Sequence, residues 1–110
     1  MSDSSYKNMR LLVLFDMPVE KAAQRKEYVR FRKKIMDDGF MMLQFSVYSR
    51  YCNNDSDAEK HIKRVKELKP KYGNIRILKV TENQFESMIL VQGEKTAQER
   101  LETDEQLTVI

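Results

Sequence analysis

With 110 residues and a single cysteine, the chain has room for one domain with its own core, and none for a disulfide framework or a cysteine-built zinc site. Its first residues are polar and no apolar run approaches the roughly 20 residues of a membrane span, so the sequence reads as a cytoplasmic, soluble protein with no membrane partner. The net charge of +3 hides two basic blocks, residues 21–34 at +6 and residues 60–79 at +7, set among acidic stretches. That pattern suits a polyanion partner, and equally two solvated helix faces.

Residues 1–8 are predicted to be a disordered extension. Leu11–Phe15 is a short, fully apolar run that predicts a central strand buried on both faces, ended by Asp16 and Pro18. Residues 20–37 predict a helix whose inner stripe is Tyr28, Phe31 and Ile35 and whose opposite stripe is Lys26, Arg30 and Lys33, with Gly39 as its left-handed cap. Residues 40–51 are β-rich and predict two short strands broken by a kink near Gln44–Ser46. Ser56, with Glu59 three residues on, is the expected N-cap of a second helix. That helix runs to about Leu68, with Ala58, Ile62, Val65 and Leu68 inside and Lys60, Lys63 and Arg64 outside. Ile75–Val80 predicts a strand, residues 82–86 a short turn or a single helical turn, and Ser87–Val91 a further strand. The core domain spans 9–93; residues 94–110 read as an acidic linker and a C-terminal β arm ending in Leu107, Val109 and Ile110. The order β-α-β-β-α-β predicts an α+β, ferredoxin-like antiparallel sheet with both helices on one face, plus the extra C-terminal strand and arm. So many functions use this fold that it decides none.

Asp16 is the most informative residue. A carboxylate directly after a buried strand is costly unless it is solvated, paired or bound to a metal. It reads either as a cap for the turn that follows or as a ligand of Mg²⁺. One Asp is a poor site for an ion that prefers several oxygen ligands, and a dimer axis bringing two copies together would repair this. His61 and Cys52 lack a second ligand-type neighbour and read as packing residues. No phosphate-binding glycine loop, nucleophile triad or zinc spacing is present. The aromatics from Phe40 to Tyr48 faintly suggest an RNA-stacking strand, but Phe45 and Tyr48, three apart on an unbroken strand, would face opposite ways.

Three motifs in order, Met9–Pro18, Arg25–Lys33 and Asp38–Arg50, followed by Gly73-Asn74 and Gln84-Phe85, make the chain resemble the small CRISPR-associated endonuclease family. This is the second of the two proteins shared by nearly all spacer-acquisition systems, and the details look closest to the type II branch. The resemblance implies a ferredoxin-like homodimer in which a strand around Met88–Val91 completes the partner's sheet. It implies that Asp16 is the catalytic, metal-binding aspartate and that two copies share one Mg²⁺. It also implies metal-dependent cleavage of single-stranded RNA or double-stranded DNA, with a bridging role between integrase dimers that does not need cleavage. Arg25 falls where the family often has a functional Arg, and Phe15, Ser46 and Tyr48 fall at supporting positions. Arg25, Lys26, Arg30, Lys33, Lys34, Lys60, Lys63 and Arg64 are the expected nucleic-acid contacts, and Leu107, Val109 and Ile110 the expected partner contacts. Met42 departs from the family, where several members carry a basic residue, which weakens a claim of RNase activity resting on that position. The alternative is a free-standing ferredoxin-like RNA-binding module or toxin-like RNase.

Overall fold

The structure is a computed structural model and describes residues 7–96. In chain order it contains β1 (Met9–Asp16), α1 (Ala22–Asp37), β2 (Met41–Gln44), β3 (Val47–Cys52), α2 (Asp55–Lys66), β4 (Asn74–Thr81) and α3 (Glu82–Glu86). The four strands form one antiparallel sheet in the order β2-β3-β1-β4. This is the ferredoxin-like arrangement that the order of sequence elements predicts.

Strand alternation sorts β1 onto two faces. Leu11, Val13 and Phe15 join Phe31, Ile35, Ala58 and Val65 in the core beneath α1 and α2. Each such fully buried side chain contributes about 1.5–3 kcal/mol of transfer free energy. On the other face stand Arg10, Leu12, Leu14 and Asp16. The register places Met41, Ser49, Leu12 and Leu78 in one row across that face. Arg10 is buried there, bidentate to Glu82 at 2.9 and 2.6 Å, with the Phe85 ring 4.3 Å from its guanidinium. That pair docks α3 against the sheet.

The ends of α1 follow from local chemistry. Gln24 accepts from the Lys21 backbone N–H at 3.0 Å at one end. At the other, Gly39 adopts φ +96 while Gly39 and Phe40 donate back to the Met36 and Ile35 carbonyls, and Phe40 is buried. This is the Schellman closure that the Asp38-Gly39 pair predicts. The break in 40–51 is a two-residue hairpin, Phe45-Ser46, made without Gly or Pro because Ser46 itself takes φ +65.

Two expectations are corrected. Asn54, not Ser56, caps α2: its side chain accepts from the Asp57 N–H at 2.8 Å, which puts Asp55 and Asp57 in the first turn, where the helix dipole favours them. Ser87–Val91 is not a strand in the single chain. Its apolar residues leave α3 exposed, Val91 at 92%, and no ladder forms with any described residue. A strand exists only where a neighbour supplies hydrogen bonds, and intrinsic β preference cannot provide one. Cys52 is buried and free, as its packing role predicts. The N-terminal extension lies almost wholly, and the C-terminal arm with Leu107, Val109 and Ile110 wholly, outside the described residues.

Candidate nucleic-acid and metal site

Asp16 closes β1, paired with Asn74 of β4, and its side chain is exposed although Phe15 before it is buried. Two backbone devices fix the strand end. The Phe15 N–H donates to the Ser46 carbonyl at 3.0 Å, which ties it to the hairpin tip. On the other side Gly73, at φ +88, passes so close that a Cβ would lie 2.3 Å from the Asp16 carbonyl oxygen and 2.9 Å from the Met17 Cα. Only glycine fits there. Asp16 shares with Leu14, Ser46, Val47, Asn74 and Arg76 a shallow concavity of about 250 Å³.

An aromatic brace lies behind the site. The Phe15 ring stacks on Tyr48, centroids 5.6 Å apart, and meets Phe31 edge-on at 5.3 Å. Tyr48 is buried, and that burial pushes its phenol pKa upward. Phe15 and Tyr48 therefore support the site by packing. Arg25 closes the loop after Asp16, donating to the Val19 and Glu20 carbonyls at 3.1 and 2.7 Å.

The loop that carries Gly73 is held by α1. Glu27 accepts from Arg30 at 3.1 and 2.7 Å and from the Lys71 N–H at 3.0 Å, and Arg30 also donates to the Leu68 carbonyl at 2.9 Å. The Arg30 hydrogen bond holds the Glu27 carboxyl at about 2, well below its ordinary 4.5. Arg30, with its side chain 38% exposed, is thus paired within the chain, a partnership that its place on the outward stripe of expected phosphate contacts did not include. The i,i+3 pairing of Glu27 with Arg30 is the signal that reading passed over.

The other cations divide in two. Arg64 pairs with Asp38 at 2.8 Å, Lys60 with Asp57 at 3.3 Å and Lys33 with Asp37 at 3.5 Å. Lys79, outside the expected set, pairs with Asp55 and Glu59 at 2.6 Å each, which raises its pKa. Lys26, Lys34 and Lys63 are exposed and enter no ion pair among the described residues. Lys34 and Arg64 line one groove between α1 and α2.

His61 is more than packing. It is 2% exposed, with Nδ1 2.7 Å from Asp38 and Nε2 3.4 Å from Asp57. Asp57 is held below its ordinary pKa: burial works against this, but hydrogen bonds from the Asn53 N–H and Lys60, with the His61 charge, outweigh it. The cluster clamps α2 to the end of α1. Its members are 23 residues apart in sequence, so no local pattern announces it.

Among the described residues no three His, Cys, Asp or Glu side chains gather as a metal site. One chain brings a single carboxylate, Asp16, to its concavity.

The structure thus defines a small α+β protein of the ferredoxin-like class, with one exposed aspartate at the end of an inner strand. Residues 9–88 match the family described as CRISPR associated protein Cas2, and the chain belongs to that family. A CRISPR-associated endoribonuclease Cas2 of Streptococcus mutans is 49% identical over 87 residues, covering 79% of this chain and 80% of that one. Proteins of the same name from Acidovorax ebreus and Flavobacterium psychrophilum are 46% and 42% identical, each over 84% of this chain and over 90% and 80% of their own. A crystal structure of cas2 shares the fold, with a TM-score of 0.55 at 16% identity, over 82% of this chain and 92% of that one. No helix among the described residues is long and apolar enough to cross a membrane.

Proposed function

We propose that this protein is a cytoplasmic, metal-dependent CRISPR-associated endonuclease that works as a homodimer and also holds duplex DNA between integrase subunits during spacer capture. One observation carries the reading: Asp16 is an exposed carboxylate that no ion pair neutralises among the described residues, at the end of a strand held rigid by Ser46, Gly73 and the Phe15–Tyr48 stack. Single-stranded RNA is one substrate of this reading, and the name of its relatives, endoribonuclease, supports RNA; double-stranded DNA is the other.

Mg²⁺ is commonly held by one or two carboxylates with water completing its shell. Asp16, beside Ser46 and Asn74, fits half of such a site, and a second Asp16 across a two-fold axis would complete it. Bound there, Mg²⁺ would supply a water of lowered pKa and positive charge facing the scissile phosphate. The chain itself holds the carboxylate in place and keeps the strand end from moving. Arg76, exposed at the rim of the concavity, takes a phosphate oxygen. Half-exposed Leu78 and Met41 on the open sheet face, with the outer edge of β4 and the Met88–Val91 segment both unpaired among the described residues, support a second copy as the partner. Lys26, Lys34 and Lys63 suit phosphate contacts along a duplex. The Leu107, Val109 and Ile110 arm is proposed to dock on an integrase subunit.

The test is cleavage of single-stranded RNA and duplex DNA by wild type and Asp16→Asn, with Mg²⁺ and with chelator, alongside sedimentation for the dimer. Cleavage that needs both Asp16 and Mg²⁺ is expected. Equal cutting by the two proteins would overturn the assignment of Asp16.

A further inference from the structure

Phe45 is an aromatic side chain that neither the core nor the strand-end brace absorbs. It is 86% exposed. Such exposure is unfavourable for an aromatic ring, which loses on the order of 1.5–3 kcal/mol relative to burial. Nor is the ring on a loose loop. It occupies the first position of the two-residue β2–β3 turn, whose second residue, Ser46, is held at φ +65. The Ser46 carbonyl in turn receives the Phe15 N–H at 3.0 Å, so the tip is tied to the residue preceding Asp16. Ser46 and Val47, its neighbours in the chain, line the concavity with Asp16, Asn74 and Arg76. An exposed aromatic thus stands on a tethered turn whose next two residues line a site that offers a carboxylate and a guanidinium.

We infer that Phe45 is a stacking platform for an unpaired nucleobase, seating single-stranded nucleic acid so that its backbone crosses the Asp16 concavity. The chemistry favours this occupant. A base offers a flat π-face to the ring while its phosphate reaches Arg76, and base–aromatic stacking contributes about 1–3 kcal/mol per base. In an intact duplex both faces of each base are already covered, so the ring discriminates unpaired from paired strands. The inference rests on the nuclease reading for its location and deepens it by naming unpaired bases as what the site selects.

The experiment measures binding without cleavage. The full chain, in chelator, is titrated with a short single-stranded RNA carrying 2-aminopurine at successive positions, with the matching single-stranded DNA, and with the blunt duplex. Wild type is expected to quench one 2-aminopurine position. Phe45→Ala should lose that quench and bind single strands about 10-fold more weakly, with duplex affinity unchanged; Phe45→Trp should restore both. Loss with RNA alone or with both polymers supports stacking and assigns the polymer. Equal binding by Phe45→Ala and wild type would overturn it. So would parallel loss of single-strand and duplex binding, or a change in sedimentation showing that the ring is covered by another copy. Because no arm requires cleavage, a failed nuclease assay leaves this result readable on its own.

Discussion

The surroundings of His61 and of Asp16 each set carboxylate charge near a basic group, and they behave as opposites. Around His61, every charge is answered: Asp38 meets both the imidazole and Arg64, and Asp57 meets Lys60 and the other ring nitrogen. At the end of β1, Asp16 faces solvent and is fixed only through its backbone. The contrast teaches where to look for chemistry. A saturated cluster spends its electrostatics on holding two helices together, whereas a rigid but unanswered charge is available to a ligand.

The largest effect that would sharpen this contrast is on rate. Asp16→Asn should lower Mg²⁺-dependent cleavage at least about a hundredfold, with an unchanged melting temperature. A large thermal shift would place Asp16 with the structural charges instead. Gly73→Ala comes next, because it meets both a left-handed backbone and the Asp16 carbonyl. It should cost about 2–4 kcal/mol in chemical denaturation and reduce cleavage as well, since it displaces the strand end. Asp38→Ala tests the other side. It leaves a buried imidazole and a guanidinium without their carboxylate, so a loss of about 1–3 kcal/mol is expected with cleavage per folded molecule unchanged.

Those two glycine and aspartate effects mark the limits of what the sequence made legible. The apolar run Leu11–Phe15 announced β1, and the carboxylate after it announced the site, because both signals are local. The hairpin at Phe45-Ser46 was also legible as a break, though not as a left-handed serine. The fit of Gly73 against Asp16 was not, since it depends on the register of β4 on β1, across 57 residues of chain. The same holds for Asp38 with His61. Ser87–Val91 was misread as a strand because its composition has β character while no described strand pairs with it. The pairing of Arg30 was missed because charge counting treats every cation as free, and here Glu27, three residues earlier, accepts from it.

Smaller effects refine the picture. Glu27 has a folded pKa of about 2 against an ordinary 4.5, so its contribution is present above that ordinary value and is lost as pH falls toward 2. Thermal melts through that window should therefore decline more steeply for wild type than for Glu27→Gln. Parallel curves would remove Glu27 from the support of the Gly73 loop. The smallest change concerns duplex binding. Lys63→Ala should lower the slope of log affinity against log salt by about 1, with no dependence on sequence and no change in stability.

Cys52 carries a practical corollary. It is the only cysteine of the chain, fully buried, with its thiol pushed above the ordinary range mainly by that burial. Folded protein will resist thiolate-seeking reagents, so its own sulfur can be left in place when a reporter is attached elsewhere. A cysteine introduced on an exposed position of α1 or at the hairpin tip can then be coupled selectively to a fluorophore or spin label. In the native protein the slow alkylation of Cys52 becomes a clock for how often the sheet opens.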